Sequence, residues 1–140
     1  MLLLLGSCHG KFEQYQEIKG MRWNEEDVYQ FEYAPPKTGE YDVYLLIRYS
    51  ESCPLKKLPL EMTLESKADK KVYRVVLAIR DDKGHYIGNG LGDLYDIESR
   101  LDDPVLLTGG IPYVFSLRQR GGGTIPLLME AGLRVVKRDK

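Results

Sequence analysis

The alternation of apolar and polar residues in EYDVYLLIRY (40–49) constrains the fold more than any other feature of this sequence. Every second position is apolar, namely Tyr41, Val43, Leu45, Ile47 and Tyr49. Successive side chains of a β-strand point to opposite faces, so this spacing predicts a strand that buries one face. The opposite face then carries Asp42, Tyr44, Leu46 and Arg48.

The same alternation recurs along the chain, and turn signals separate the runs. The further predicted strands are VYQFEY (28–33), LPLEMTLE (58–65), VYRVVLAI (72–79), IPYVFSLR (111–118) and AGLRVVK (131–137). The predicted turns are APPKTG (34–39), SKADKK (66–71), DDKG (81–84) and RGGG (120–123). The segment DLYDIESRL (93–101) has only a weak helical spacing, and we expect at most a short helix or an irregular loop there.

These elements predict an all-β fold, an antiparallel β-sandwich that is jelly-roll-like or Ig-like. A chain of 140 residues without an internal repeat or a long linker fits one domain. We therefore expect a single β-sandwich domain over residues 9–140. Residues 1–8 are interpreted separately, as a truncated lipoprotein signal.

The opening residues MLLLLGSC resemble the end of a bacterial lipoprotein signal peptide. Leu5-Gly6-Ser7-Cys8 has the form of a lipobox, with an apolar residue and two small residues before the cysteine. In a lipobox the cysteine thiol receives a diacylglycerol, and the chain is cut before that cysteine. We expect lipidation at Cys8, with acyl chains such as palmitate. The alternative is a short hydrophobic strand, but four consecutive leucines lack the alternation of a strand.

The charge balance argues against nucleic acid as a partner. Twenty lysines and arginines stand against 21 acidic residues, and the two signs are interleaved along the chain. A general nucleic-acid binder would show a basic patch or tail. No apolar run approaches the roughly 20 residues that a membrane-spanning helix needs.

The sequence offers little from which to build a catalytic or metal site. There are two histidines, His9 and His85, and neither has a second ligand at metal-binding spacing. No nucleophile elbow or phosphate loop is present, and the glycines of GNGLGD (88–93) fit a tight bend better than a nucleotide site. We therefore predict no catalytic residues, no metal, no cofactor and no enzyme activity. Cys53 is expected to be a free, partly buried thiol rather than a disulfide partner of Cys8.

Aromatic residues are the remaining candidates for a binding surface. Ten tyrosines accompany three phenylalanines and one tryptophan, which is typical of half-buried sheet faces. Trp23 and Tyr44 are the side chains that we expect at such a surface. Exposed aromatic rings can also stack on sugars, so a carbohydrate-binding module for surface polysaccharide is the alternative function.

Four segments, taken in order, resemble one known family. WNEEDVYQFEY (23–33), YDVYLLIRYS (41–50), GNGLGDLYD (88–96) and IPLLMEAGLRVVK (125–137) are similar to the GldH family of gliding-motility lipoproteins of Bacteroidota. The similarity runs from about Tyr15 to Lys137. One departure is the segment 127–131, where the resemblance implies a Pro-Gly turn and an aspartate.

The resemblance implies a lipid-anchored protein of the cell envelope that faces the periplasm or the cell surface. It implies that Cys8 is the acylated first residue of the mature chain. The function expected is a non-catalytic interaction or assembly component of the gliding motility machinery. Its expected partners are the membrane, through the anchor, and other envelope or motility proteins.

Overall fold

The computed structural model describes residues 11–86 and 89–139, and nearly all of its regular structure is β-strand. The strands are β1 (Lys11–Glu17), β2 (Arg22–Asn24), β3 (Tyr29–Tyr33), β4 (Gly39–Ser50), β5 (Lys57–Glu65), β6 (Lys70–Ala78), β7 (Asn89–Leu91), β8 (Leu94–Arg100), β9 (Val105–Leu107), β10 (Tyr113–Gln119), β11 (Thr124–Pro126) and β12 (Leu128–Lys137). A single 3₁₀ turn, Lys19–Met21, follows β1 within the part of the chain that is described.

The strands form two main antiparallel sheets and a small ribbon. Sheet I has the order β1-β12-β4-β8-β7, with β9 pairing with the beginning of β4. Sheet II has the order β3-β10-β5-β6, and β2 pairs with β11 as a two-stranded ribbon. Every pairing is antiparallel. The prediction of an all-β antiparallel sandwich is confirmed.

The two sheets share one apolar core, and the predicted registers of its central strands are correct. On β4 the five residues predicted to face inward are all buried, each with at most 1% of its surface exposed: Tyr41, Val43, Leu45, Ile47 and Tyr49. On β5 the predicted inward residues are Leu58, Leu60, Met62 and Leu64, and all four are buried. Ala131, Leu133 and Val135 of β12 lie opposite Ile47, Leu45 and Val43 in the same core.

One side of the sandwich is closed and the opposite side is open. At the closed side the rings of Phe12 on β1 and Tyr33 on β3 stack with centroids 4.8 Å apart. The Gln16 amide of β1 also donates a hydrogen bond to the backbone oxygen of Gln30 on β3. At the other side β6 ends sheet II, and the segment 99–104 of sheet I lies across a groove from it.

Four strands of sheet I were not predicted from the sequence, namely β1, β7, β8 and β9. The segment DLYDIESRL forms β8, so the expectation of a short helix or an irregular loop is wrong. Only Ile97 of β8 is fully buried, and the polar residues on both faces conceal its alternation. β1 is likewise polar on both faces because it lies at the edge of sheet I.

The glycine-rich GNGLGD segment makes the hairpin between β7 and β8. Gly92 has a φ of 68°, the left-handed conformation that glycine adopts without strain. Gly90 has a different requirement, since a Cβ there would lie 2.4 Å from Cε2 of Tyr95. The segment is therefore part of the sheet architecture, as the sequence indicates, while Gly88 lies outside the described residues.

Candidate functional site

The outward face of sheet I carries an ordered group of charged and aromatic side chains. We call it the arginine–tyrosine face and define it by Tyr15, Tyr44, Arg48, Asp96, Glu98, Glu130 and Arg134. The register of the strands brings it together, because Arg48 on β4 lies opposite both Glu130 on β12 and Asp96 on β8. The same register sets Tyr44 opposite Arg134.

Arg48 is fixed by two carboxylates and one aromatic ring. Its Nε donates to Oδ1 of Asp96 at 2.7 Å, and its Nη2 donates to Oδ2 at 3.3 Å. Its Nη1 donates to Oε1 of Glu130 at 3.0 Å, while the guanidinium lies 5.3 Å from the centroid of Tyr15. The hydrogen bond with Asp96 raises the pKa of Arg48 above its ordinary value.

Arg134, on the neighbouring strand β12, makes similar contacts with a carboxylate and a tyrosine ring. Its Nη2 donates to Oε1 of Glu98 at 2.6 Å, and its guanidinium lies 4.2 Å from the centroid of the Tyr44 ring. Oε1 of Glu13 is 3.6 Å from Nη1. Burial opposes the charge of Arg134, but the hydrogen bond with Glu98 and the charges of both glutamates outweigh it, and the pKa of Arg134 is raised.

Leu46, Gly132 and the ring of Tyr15 form an apolar patch at the centre of this face. Leu46 points outward on β4, as predicted, yet it is only 2% exposed. Its partner on β12 is Gly132, which in turn lies opposite Tyr15 of β1. The Tyr15 ring lies against Gly132 because glycine leaves room for it. Burial, followed by the charges of Asp96 and Glu13, raises the pKa of Tyr15.

This arrangement makes an amphipathic surface of paired charges and tyrosine rings. Arginine and tyrosine are enriched in protein interfaces because they combine apolar area with hydrogen bonding. Here both arginines already have ion-pair and ring contacts within the chain. Such contacts restrict the side chains, and restricted side chains lose less entropy on binding.

The structure separates the two predicted surface aromatics. Tyr44 lies on the arginine–tyrosine face, half-buried beneath Arg134. Trp23 is 0% exposed, so the expectation that it lies at a binding surface is corrected. Its indole packs edge-on against Tyr29 with centroids 5.2 Å apart, and its Nε1 donates to the backbone oxygen of Asp27 at 3.0 Å.

Trp23 and its neighbours instead close the turn between β2 and β3. The backbone N–H of Asn24 donates to the Asp27 carboxylate at 3.1 Å. The backbone N–H of Asp27 donates to the backbone oxygen of Asn24 at 2.9 Å. The buried Gln119 side chain donates to the Trp23 backbone oxygen at 3.1 Å. These contacts join the β2–β11 ribbon to β10.

The predicted lipidation site, Cys8, lies outside the described residues, as does His9. Cys53 is a free thiol and is fully buried. Burial raises the pKa of its thiol, so the reactive thiolate form is disfavoured. His85 is exposed, and its Nδ1 lies 3.3 Å from Oδ2 of Asp81.

The described residues, 11–86 and 89–139, show neither a candidate metal site nor a candidate membrane-spanning helix. In that part of the chain no cluster of three or more histidine, cysteine, aspartate or glutamate side chains could hold a metal ion. No helix there is long and apolar enough to span a bilayer.

Most of this face was not identified from the sequence. Arg48 and Arg134 lie in segments predicted as strands and Glu130 directly precedes one, but their pairing depends on strand order, which alternation does not give. Asp96 and Glu98 lie on β8, which was not predicted as a strand. A useful signal is present in β4 and β12, where charged residues occupy outward positions of otherwise apolar strands.

The family model of the GldH lipoprotein matches residues 11–133. This match covers most of the chain, so the protein belongs to the GldH lipoprotein family. Membership of a lipoprotein family implies a membrane-anchored protein of the cell envelope. No curated protein matches the chain.

Solved structures with similar folds share little sequence with this chain. The Eiger TNF of S. frugiperda is 14% identical with a TM-score of 0.46, over 76% of this chain and 64% of that one. Dimeric latent PorU of Porphyromonas gingivalis is 10% identical with a TM-score of 0.41, over 89% of this chain and 12% of that one. TmCBM61, in complex with beta-1,4-galactotriose, is 11% identical with a TM-score of 0.39, over 98% of this chain and 97% of that one. The chain thus spans less than two thirds of the first two structures.

Proposed function

We propose that this protein is a lipid-anchored, non-catalytic binding component of the gliding motility machinery in the cell envelope. In this proposal the arginine–tyrosine face of sheet I contacts another envelope protein. The observation that carries the contact is the arrangement of Arg48 and Arg134, each fixed between carboxylates and a tyrosine ring. Family membership supports the place in the motility machinery.

The anchor of the proposed protein is Cys8. A diacylglycerol on its thiol and a further acyl chain such as palmitate on its amine hold the domain at a membrane, on the periplasmic side or at the cell surface. Each methylene that enters the bilayer contributes about 0.8 kcal/mol, so several chains give stable attachment. Intact-mass analysis of the protein from its own envelope tests this step, and an unmodified Cys8 contradicts it.

The proposed absence of catalysis rests on the surroundings of the two most reactive side chains, Cys53 and His85. Cys53 is buried with a raised pKa, so it lacks the exposure and the thiolate character of a nucleophile. The His85 ring is exposed and its described partner is a single carboxylate, Asp81. The purified protein is therefore expected to turn over no glycan, ester or peptide substrate.

A protein partner is favoured over a polysaccharide by the geometry of the aromatic residues. Sugar-binding sites need open ring faces, whereas guanidinium groups lie over the rings of Tyr15 and Tyr44. Trp23, the strongest candidate for stacking on a sugar, is in the core. Arginine and tyrosine surrounded by carboxylates suit a partner that offers hydrogen-bond donors and apolar area.

The test compares two arginine variants of the full-length protein in its own bacterium. Arg134→Ala removes the side chain that stacks on Tyr44 and binds Glu98. Arg120→Ala is the matched control, because Arg120 also makes one short ion pair, with Glu61 at 2.9 Å, but on sheet II. After gentle detergent extraction and crosslinking, we expect envelope proteins crosslinked to the chain to be lost with Arg134→Ala and retained with Arg120→Ala.

Equal crosslinking of the two variants, with both folded as judged by unfolding midpoint, contradicts the proposed contact face. Retention on a polysaccharide column that Tyr44→Ala abolishes would favour the carbohydrate-binding alternative. A hydrolytic rate that one Asp, Glu or His substitution abolishes would contradict the claim of no catalysis.

A further inference from the structure

The open side of the sandwich contains a long groove between β6 and sheet I. Its larger part, of about 730 Å³, lies between Val72–Val76 and the segment 99–104. A smaller part, of about 260 Å³, continues past Tyr73 to Val105 and Leu106 on β9. Tyr73 lines both parts, so they form one groove along β6.

Within residues 11–86 and 89–139, β6 is an edge strand of sheet II. It pairs with β5 without a register shift over its whole nine-residue length, and its other side has no strand partner there. It contains no proline or bulge, and its lysines and arginine are the kind of side chain that limits pairing with like-charged strands. The edge therefore presents a row of backbone donors and acceptors with strand geometry.

The side chains of β6 divide the edge into an apolar and a basic set. Val72 and Val76 are 50% and 59% exposed, and half-buried Tyr73 and Val75 point into the groove. The charged residues of β6 are Lys70, Lys71 and Arg74, all basic. Exposed valines on a strand edge are unusual in a protein that acts alone, because they invite association.

A second copy of this chain is a poor occupant for that edge. Antiparallel pairing of β6 with itself about its centre would set Arg74 opposite Arg74. Like charges directly opposite each other in a ladder destabilise the pairing. β6 contributes only basic charges to its edge, and Glu61 of β5 is shared between Arg74 at 3.5 Å and Arg120 at 2.9 Å. The outward row of the edge therefore complements a strand that carries acidic residues on that face, whereas Asp102 and Asp103 lie across the groove, where the apolar residues of such a strand would enter.

We propose that β6 binds an extended segment of a partner protein, which adds a fifth strand to sheet II. The segment alternates apolar residues, which enter the groove beside Tyr73 and Val75, with acidic residues opposite Lys70 and Arg74. Backbone hydrogen bonds supply the affinity, and the side-chain alternation supplies the specificity. This proposal concerns sheet II and stands independently of the contact proposed for sheet I.

The experiment uses the full chain in detergent and a defined probe. The probe is a blocked nine-residue peptide of alternating glutamate and valine. We expect it to bind and to slow, about tenfold or more, the exchange of those amides of Lys70–Ala78 that point away from β5, since new backbone hydrogen bonds protect them. The same peptide with N-methylated backbone amides cannot pair as a strand and should give no protection.

Two further controls test charge and location. A peptide with lysine in place of glutamate should bind at least about tenfold more weakly, because it meets like charges on β6. On the protein, the double variant Lys70→Ala with Arg74→Ala should weaken binding of the glutamate peptide. Lys67→Ala, in the turn before β6, removes one positive charge that is not on the strand and should leave binding unchanged.

The inference fails if the glutamate peptide gives no protection of β6 or protects another strand. Equal binding by the N-methylated or the lysine peptide also overturns it. If cellohexaose, rather than the glutamate peptide, slowed the amide exchange of β6, the groove would be a sugar-binding site instead. None of these outcomes depends on Arg134, so failure here and failure of the proposed sheet I contact are distinguishable.

Discussion

The ring of Tyr15 lies directly against Gly132, which is its partner in the pairing of β1 with β12. A Cβ added to Gly132 would lie 2.8 Å from Cδ2 of Tyr15 and 3.0 Å from the backbone oxygen of Gln14. Tyr15 also supports the guanidinium of Arg48. One missing methyl group therefore links the packing of an edge strand to the geometry of the arginine–tyrosine face.

Gly132→Ala should destabilise the fold by about 1–3 kcal/mol, because the ring of Tyr15 must move and β1 must shift with it. Chemical denaturation measures the loss. Gly121→Ala is the matched control, since its Cβ would meet its nearest atom at 3.4 Å, an ordinary contact. The control should stay within about 0.5 kcal/mol of the natural chain. Equal effects of the two would mean that Tyr15 does not lie over Gly132.

Tyr33→Phe should stabilise the protein and reduce its sensitivity to alkali. The Tyr33 hydroxyl is buried and has no hydrogen-bond partner among the described residues, so removing it should yield about 1 kcal/mol at pH 7. Burial raises the pKa of Tyr33 to about 12. Between about pH 10 and 12 the unfolded chain loses this proton while the folded chain keeps it, so stability falls as pH rises.

With Tyr33→Phe, the free energy of unfolding should fall by about 1.4 kcal/mol less per pH unit than in the natural chain. Urea unfolding between about pH 10 and 12 measures this difference. Tyr49→Phe is the matched comparison, because burial also raises the pKa of Tyr49 to about 12. Its hydroxyl donates to the Ile79 oxygen at 3.2 Å, so this variant should lessen the alkaline fall without a gain at pH 7. A gain at pH 7 for Tyr49→Phe but not Tyr33→Phe would contradict the assignment.

Met21→Gly should raise stability by roughly 0.5–1 kcal/mol. Met21 has a φ of 55°, a conformation that costs an ordinary residue about 1–2 kcal/mol and costs glycine little. Its side chain is 41% exposed, so little packing is lost, although glycine has more freedom in the unfolded chain. Thermal unfolding measures the change. A lower midpoint would show that the Met21 side chain contributes more packing than its exposure indicates.

Trp23→Ala and Tyr44→Ala should separate the core from the surface. Trp23 is fully buried, so its truncation should cost about 3–5 kcal/mol. Tyr44→Ala removes one stacking contact with Arg134 and should cost about 1 kcal/mol or less. Comparable losses in the two unfolding transitions would contradict the structure at Trp23.

The sequence predicts the strands that have a clear apolar face and misses the short or polar strands of sheet I. Leu45 on β4 and Leu60 on β5 belong to clear alternations, and both are in the core. β8 was missed because tertiary pairing with β4, rather than an apolar face, makes it a strand. The segment 127–131, where the family resemblance implies a Pro-Gly turn, begins with Leu127 at a positive φ of 65°.

The candidate site was less predictable because it depends on pairing between distant strands. Arg48 and Glu130 are 82 residues apart, and only the register of β4 with β12 brings them together. Trp23 is expected at the surface on the ground that exposed aromatic rings can stack on sugars, but the structure buries it. A hydrogen bond to its own turn instead satisfies its indole N–H, which allows full burial.

We propose that this chain acts in gliding motility as a lipid-anchored binding protein, and the gliding speed of single cells is the measurement that decides it. The gene is deleted in its own bacterium and restored as the natural form, as Cys8→Ala or as Arg120→Ala. We predict that deletion stops gliding, that the natural form and Arg120→Ala restore it, and that Cys8→Ala does not. Normal gliding speed in the deletion strain would contradict the account.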